Sequence, residues 1–335
     1  MHLLRPNGNS PLAASTPHRG SADGSSTADH RIVLGRLIDN VRSAIILDPS
    51  KLELILAAML AKGHVLLEDV PGIGKTVTAR AIAQSLQAVF KRIQCTPDLL
   101  PSDITGSAIY NQRDGKFEFV KGAIFGNIIL VDEINRASPR TQSSLLESMA
   151  EGQVSSDGFT YPLPKPFLII ATQNPIEMAG TFPLPEAQLD RFLIALNLGY
   201  PDFEDEVTIL EREEHANPLD SLQPVITLEE VIALQNAVQS IDVARPIKEY
   251  IVRLNQATRT HPETVLGVSP RGGVALQRVA QALAVINGRS FVTPDDVKRA
   301  APVVIAHRIL TRDRTMDTAR DLVAEILATT AVPLF

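Results

Sequence analysis

The segment from Val70 to Thr76 combines residue types that bind phosphate. Its members are Val70, Pro71, Gly72, Ile73, Gly74, Lys75 and Thr76, which lie between a short apolar run and a helical pattern. Glycine-rich turns let backbone N–H groups point at an anion, and the following helix adds the positive end of its dipole. We therefore expect Lys75 to reach the β- and γ-phosphates of a nucleotide and the Thr76 hydroxyl to bind Mg²⁺.

Asp69 occupies the position at which such a loop usually begins with glycine. A carboxylate at this position brings negative charge close to the phosphates. We therefore expect the Asp69 side chain to point away from the nucleotide. A glycine-rich turn without function is the alternative interpretation, but the Gly-Lys-Thr triplet falls between a strand and a helix, as phosphate binding requires.

Two carboxylates and an amide follow the later apolar runs of this region. Asp132 and Glu133 come directly after Ile128–Val131, and Asn174 follows Phe167–Ala171. The carboxyl ends of parallel strands are where ligands bind in open sheets, so we expect these side chains at one edge. Asp132 would hold Mg²⁺ through water, Glu133 would orient and polarise the attacking water, and Asn174 would help to place it. Acidic pairs also cap helices, but the order of the motifs favours hydrolysis of a nucleoside triphosphate.

Arginine is the residue best suited to stabilise the charge on a leaving phosphate, because its guanidinium is permanently charged and forks onto oxygen atoms. Arg191 lies just before the last strand expected in the α/β region, and Arg271 opens a helix further along the chain. We expect both to act in catalysis. Arg136 and Arg140 flank the start of the helix after the acidic pair, and solvated surface positions are the better interpretation for them.

Alternating strand and helix patterns from residue 64 to about residue 198 predict an α/β P-loop fold, a parallel sheet with helices on both faces. Asp-Gly pairs within Ser107–Val120 and Val154–Tyr161 predict two inserted β-hairpins. After Pro201 only helical patterns remain. A smaller all-α domain is therefore expected to follow the sheet.

The expected division of the 335 residues is a tail at 1–30, a nucleotide-binding domain at 31–200 and a helical domain at 201–335. The tail is rich in Ser, Gly, Pro and Asn and poor in large apolar residues, so we expect it to be disordered. A tail of this composition cannot bury enough surface to offset the entropy lost on ordering.

Composition excludes several classes of protein. The net charge is −6, which argues against a basic surface that binds nucleic acid through its phosphates. Cys95 is the single cysteine, so an intrachain disulfide is excluded and a reducing compartment is expected. Apolar runs are far shorter than the roughly 20 residues that cross a bilayer. We therefore expect a cytoplasmic protein without a membrane span.

The sequence resembles the MoxR family of AAA+ ATPases over about residues 31 to 330. The segments that carry the resemblance are Val70–Thr76, Thr96–Asp103, Asp132–Ala137, Gln173–Pro175 and Gly180–Phe192. The resemblance implies a AAA+ core followed by a helical lid, with the two hairpins as the helix-2 and pre-sensor-1 insertions of this clade. It also implies ATP and Mg²⁺ as ligands.

The family's functional residues fall on residues of this sequence. The resemblance gives these assignments: Lys75 and Thr76 in Walker A, Asp132 and Glu133 in Walker B, Asn174 as sensor 1, Arg191 as the arginine finger given to a neighbouring subunit, and Arg271 as sensor 2. It further implies a homo-oligomeric ring, usually a hexamer, that acts on a protein client as a remodelling or metal-insertion chaperone. Members of the family often work with a von Willebrand factor A domain partner.

Three functional classes compete at this point. A GTP-dependent switch would carry an Asn-Lys-x-Asp motif for guanine, and no such tetrapeptide occurs in the sequence. A AAA+ ATPase acting on DNA or transcription complexes would need a basic surface or a DNA-binding module, and no segment provides one. It stays the alternative. A catalytically dead ATP-binding scaffold agrees only weakly with the sequence, because Glu133 and Arg191 are both present. An ATP-driven remodelling enzyme therefore agrees best.

Overall fold

The computed structural model describes residues 23–70, 72–174, 180–213 and 218–333. In chain order, the strands are β1 (Val65–Glu68), β2 (Phe90–Gln94), β3 (Gly106–Asn111), β4 (Lys116–Lys121), β5 (Ile128–Asp132), β6 (Gln153–Ser156), β7 (Phe159–Pro162), β8 (Leu168–Gln173), β9 (Ile194–Leu196), β10 (Thr264–Leu266) and β11 (Leu310–Thr311). The helices are α1 (Asp23–Ala44), α2 (Pro49–Leu60), α3 (Lys75–Ser85), α4 (Pro101–Thr105), α5 (Pro139–Glu151), α6 (Glu186–Leu189), α7 (Phe203–Glu213), α8 (Leu228–Ser240), α9 (Arg245–Thr260), α10 (Pro270–Ile286), α11 (Pro294–Ile305) and α12 (Met316–Thr329). Short 3₁₀ helices cover Ile134–Arg136, Pro218–Ser221 and Ala306–Arg308.

Five parallel strands form the central sheet in the order β2-β5-β8-β1-β9. The strand β5 is buried along its whole length, as its continuous apolar run predicts for a strand covered on both faces. The register places Gln94 opposite Asp132 and Glu68 opposite Gln173. The polar residues that end these strands therefore share one edge of the sheet. The predicted α/β fold is confirmed.

Both predicted hairpins form. The strands β3 and β4 pair from Gly106 to Lys121, and β6 and β7 pair from Gln153 to Pro162. Asp157 and Gly158 join the second pair with φ angles of 51° and 80°. Positive φ at both central residues is what a two-residue hairpin turn of this kind requires, and Asp-Gly supplies it at low cost.

The structure differs from the sequence prediction in two places. The helix α1 begins at Asp23, so residues 23–30 belong to it rather than to a disordered tail. Residues 1–22 lie outside the described residues, and the prediction for them is untested. The region after Pro201 is helical but not purely so, because β10 and β11 pair antiparallel across its far end. Two strands of three and two residues are too short to give a readable alternation.

The sheet and the helical region share a continuous apolar core that includes α2, α8, α10 and α11. Within the buried region, the Nε2 of Gln235 in α8 donates a 2.8 Å hydrogen bond to the carbonyl oxygen of Met59 in α2. Arg320 of α12 forms a 3.0 Å ion pair with the carboxylate of Glu68 at the end of β1. Within the described ranges, no helix combines the length and apolar content needed to cross a membrane.

Candidate nucleotide site

A cavity of about 360 Å³ opens at the carboxyl ends of β1, β5 and β8. This is the edge at which open parallel sheets bind their ligands. The residues that line it are Asp69, Gly72, Gly74, Lys75, Thr76, Val77, Arg92, Gln94, Asp132, Glu133, Thr172 and Asn174. The structure thus brings together the glycine-rich loop, the acidic pair and the amide that the sequence predicts for a nucleotide site. Pro71 lies outside the described residues.

The glycine-rich loop has the backbone that phosphate binding requires. Gly72 and Gly74 have φ angles of +92° and +83°, a conformation that favours glycine. Gly74 leads directly into α3, whose first residue is Lys75. Val70 contributes its backbone carbonyl to the loop, and Ile73 packs against the apolar core. The loop is therefore anchored by one side chain while its glycines face the cavity.

The ammonium group of Lys75 lies inside the loop. It donates to the carbonyl oxygens of Asp69 at 2.8 Å and of Val70 at 3.2 Å. Burial lowers the pKa of Lys75, and the negative charges of Asp69, Asp132 and Glu133 act in the opposite direction. The two carbonyl contacts are neutral, so anionic phosphate oxygens would compete well with them for the ammonium group.

Asp69 turns its carboxylate to the chain that follows β9. The two oxygens accept hydrogen bonds from the backbone amides of Leu198 at 2.6 Å and of Gly199 at 3.2 Å. The residue is only 6% exposed. The carboxylate is thus bound by two backbone amides beyond β9, in agreement with the expectation that the Asp69 side chain points away from the nucleotide.

Asp132 ends β5 between two partners. Its Oδ2 accepts a 2.6 Å hydrogen bond from the Nε of Arg92, and its Oδ1 accepts one of 3.4 Å from the hydroxyl of Thr172. The same Thr172 hydroxyl accepts a 2.9 Å hydrogen bond from the backbone amide of Glu133. Thr172 therefore ties the acidic pair to the neighbouring strand β8.

Glu133 is held by two side chains in an unusual backbone conformation. Its φ of 54° and ψ of 52° lie in the left-handed region, which residues with a side chain seldom adopt. Its Oε2 accepts hydrogen bonds from Gln94 Nε2 at 3.0 Å and from Arg136 Nη1 at 3.1 Å. Strain of this kind is typical of functional sites. These contacts hold the carboxylate toward the end of β2. To activate a water at the phosphate, Glu133 would have to release Gln94 and Arg136.

The residues predicted to bind Mg²⁺ suit this ion chemically. A threonine hydroxyl from Thr76 and a carboxylate from Asp132 line the same cavity, and Mg²⁺ prefers such oxygen ligands together with phosphate and water. In this structure Arg92 occupies one oxygen of Asp132, leaving the second oxygen beside a neutral hydroxyl. The donor set therefore fits a magnesium ion that arrives with a nucleotide.

Four residues of the cavity were missed by the sequence reasoning: Val77, Arg92, Gln94 and Thr172. Arg92 and Gln94 are two positions apart on β2 and face the same side, which is the one signal available in the sequence. The signal is weak because no residue pattern near β2 indicates that this strand pairs with β5 rather than with β1. Arg136, for which the sequence favours a surface position, is 40% exposed and also contacts Glu133.

Arg191 and Arg271 are not among the residues that line the cavity. Arg191 is half-buried in the turn between α6 and β9. Arg271 is 70% exposed at the start of α10, where its Nε lies 3.9 Å from Oδ2 of Asp190. Both arginines therefore lie outside the cavity of their own subunit, and their catalytic roles stay predictions.

A parallel P-loop sheet, an acidic pair at its edge and a following helical region define a AAA+ protein. Residues 64–194 match the family model "ATPase family associated with various cellular activities", and residues 256–326 match the AAA lid domain. The chain is 50% identical to the uncharacterized protein YeaC of Bacillus subtilis, over 90% of this chain and 95% of the relative. It is 39% identical to chaperone MoxR1 of Mycobacterium tuberculosis, over 98% and 89%.

Among solved structures, the chain matches that of a candidate ATPase from Cytophaga hutchinsonii with a TM-score of 0.85 and 37% identity. The match covers 92% of this chain and 98% of the other. The chain belongs to the MoxR family of AAA+ ATPases.

Proposed function

We propose that this protein binds ATP with Mg²⁺ in the cavity at the sheet edge and hydrolyses it to ADP and phosphate. One observation carries the proposal: Lys75, Thr76, Asp132, Glu133 and Asn174 line a single cavity, although they come from separate segments. A phosphate cradle alone would serve binding. A carboxylate and an amide at the same edge add the means to position a water.

In this proposal each side chain has one task. Lys75 exchanges its two loop carbonyls for phosphate oxygens and neutralises their charge. Thr76 and Asp132 would hold Mg²⁺, which supplies charge neutralisation on the phosphates. Glu133 accepts a proton from the attacking water once it leaves Gln94, and Asn174 orients that water. Thr172 keeps the backbone of the acidic pair in place through its hydroxyl.

The binding step is tested with a labelled nucleotide, because the chain has no tryptophan to report binding. Lys75→Ala removes the ammonium group and should abolish ATP binding. Lys116→Ala, on the exposed strand β4, is the matched control and should bind like the wild type. Equal affinity of Lys75→Ala and the wild type for labelled ATP would contradict the assignment of the loop.

We propose further that the active form is a ring, of six subunits as usual in the family, in which Arg191 reaches the site of the neighbouring subunit. Support for a role in trans comes from the family resemblance, and the position of Arg191 outside the cavity of its own subunit is compatible with it. Arg271 would act as sensor 2 on the nucleotide of its own subunit, for which the exposed guanidinium has to move from Asp190. Arg191→Ala should therefore bind ATP but hydrolyse it about 10³–10⁵ times more slowly.

A mixture of two inactive variants tests the shared site. Lys75→Ala has an empty pocket and an intact finger, whereas Arg191→Ala has an intact pocket and no finger. In randomly mixed rings about a quarter of the interfaces would join two intact halves, so activity should rise and fall with the mixing ratio. Mixed rings that stay silent, while rings doped with wild-type subunits are active, would place Arg191 in its own subunit.

We also propose that the ATPase cycle drives a chaperone in the cytoplasm that remodels a protein client or inserts a metal. Support comes from the relative named chaperone MoxR1 and from the sequence resemblance. A von Willebrand factor A domain protein is the partner that this resemblance indicates. Pull-down with a hydrolysis-blocked variant, compared with Lys75→Ala, should retain client and partner only when ATP is bound; equal recovery from both variants would contradict the coupling.

A further inference from the structure

Arg308 is a buried arginine whose hydrogen bonds reach the residues on both sides of Arg191 in the chain. It ends the 3₁₀ helix that follows α11, and its side chain is only 4% exposed. Its guanidinium donates to the carboxylate of Asp190 at 2.7 Å and to the backbone carbonyl oxygens of Asp190 at 3.3 Å, Phe192 at 2.6 Å and Leu193 at 3.2 Å. The residues before and after Arg191 are therefore fixed by one side chain from the lid.

The chemistry of these contacts favours a role in geometry over one in stability. Burying a guanidinium is costly, and a buried ion pair contributes little net stability once desolvation is counted. Burial lowers the pKa of Arg308, while the charge of Asp190 and its hydrogen bond raise it. The planar fork of an arginine, in contrast, can bind several oxygen atoms in fixed directions. The three carbonyl contacts define the path of the backbone through the turn.

Asp190 is shared by a second arginine. One oxygen of its carboxylate binds Arg308, and the other lies 3.9 Å from Nε of Arg271. Arg308 is buried, whereas Arg271 is 70% exposed and its contact is long. If Arg271 moves away from Asp190, Arg308 still holds the Asp190 carboxylate. The turn that carries Arg191 is thus held independently of the position of Arg271.

We propose that Arg308 is a positioning residue that fixes the turn Asp190–Phe192 and thereby sets the direction in which Arg191 reaches the neighbouring subunit. The proposal rests on the proposed role of Arg191 in trans. Arg308 acts only through Arg191 and makes no contact with the nucleotide cavity of its own subunit. Its loss should therefore affect the rate of hydrolysis in the neighbour and leave ATP binding unchanged.

The test uses Arg308→Met, which keeps a long side chain but removes every donor. Labelled ATP should bind as tightly as to the wild type, and kcat should fall about 10²-fold, the effect of a misplacement of about 1 Å. Arg289→Met is the matched control, because it removes an equally short ion pair, with Asp296 at 2.6 Å, that lies within the lid. The control should hydrolyse ATP at the wild-type rate.

Mixed rings separate positioning from general damage. Arg308→Met mixed with Lys75→Ala should recover activity, since Lys75→Ala supplies a well-placed Arg191 to an intact pocket. Arg308→Met mixed with Arg191→Ala should stay inactive, because neither variant supplies a working finger. Failure of the first mixture, or recovery in the second, would overturn the positioning role.

The mixture of Arg191→Ala with Lys75→Ala serves as the reference. If the reference recovers and Arg308→Met with Lys75→Ala does not, only the role of Arg308 fails. If the reference itself stays silent, the shared site fails and the role of Arg308 fails with it. Should Arg308→Met not fold, Arg308→Lys is tested in the same mixtures, because it keeps the charge beside Asp190 but not the fork; a wild-type kcat in this variant would overturn the proposal.

Discussion

Replacing Asp69 by glycine would restore the usual first residue of the phosphate loop, yet we expect it to destabilise the protein. The carboxylate accepts hydrogen bonds from the amides of Leu198 and Gly199, and hydrogen bonds to charged groups contribute about 1.5–3 kcal/mol each. The backbone φ of Asp69 is not positive, so glycine brings no conformational relief. After part of this gain is offset by the cost of burying the carboxylate, a loss of about 3 kcal/mol is expected.

Unfolding in urea, followed by far-ultraviolet circular dichroism, measures this loss. Asp48→Gly is the matched control, because Asp48 accepts one amide hydrogen bond, from Ser50 at 2.8 Å, as the cap of α2. Glycine is itself a tolerated cap, so the control should lose only a few tenths of a kcal/mol. If Asp69→Gly and Asp48→Gly unfold at the same urea concentration, the two amide bonds of Asp69 contribute no net stability and the reasoning is wrong.

Three further predictions concern stability. Burial lowers the pKa of His64 from 6.5 to about 4, so the folded protein protonates this side chain at a lower pH than the unfolded chain does. The free energy of unfolding should therefore fall by up to about 3 kcal/mol as the pH falls from about 6.5 to 4. Urea unfolding of His64→Gln should show a flatter pH dependence than the wild type, and an unchanged slope would contradict this cause. A Cβ at Gly63 would lie 2.4 Å from Cβ of Leu193, so Gly63→Ala should cost about 1–3 kcal/mol through overpacking. A Cβ at Gly35 in α1 meets nothing within 4 Å, so Gly35→Ala should stabilise the helix by about 0.5–1 kcal/mol, and thermal unfolding that ranks the two variants the other way would refute the argument.

Features set by neighbouring residues could be predicted from the sequence. The loop around Lys75, the buried strand before Asp132 and the turn at Asp157 each depend on a few consecutive residues, and the structure contains all three. That Lys75 and Asp132 lie at the same edge of the sheet could also be predicted, because parallel strands place their carboxyl ends together.

Features that depend on distant partners could not be predicted. The pairing of Arg92 with Asp132 needs the strand order, which places β2 beside β5. The partners of Asp69 lie beyond β9, about 130 positions later. The start of α1 at Asp23 was missed because the first residues of the helix have the polar composition of a tail. Amphipathic patterning is weak in such a stretch, and helical order there depends on continuation from the packed part of α1.

The most direct test of the central claim is to measure how much phosphate the Glu133→Gln variant releases when it has bound ATP. The variant keeps the shape of the side chain and its distance from the loop but cannot accept a proton from water. Glu147→Gln, on the exposed face of α5, is the matched control. We predict that Glu133→Gln binds labelled ATP like the wild type and releases almost no phosphate, while the control does both. Wild-type phosphate release by Glu133→Gln would contradict the assignment of this carboxylate and, with it, the proposed mechanism.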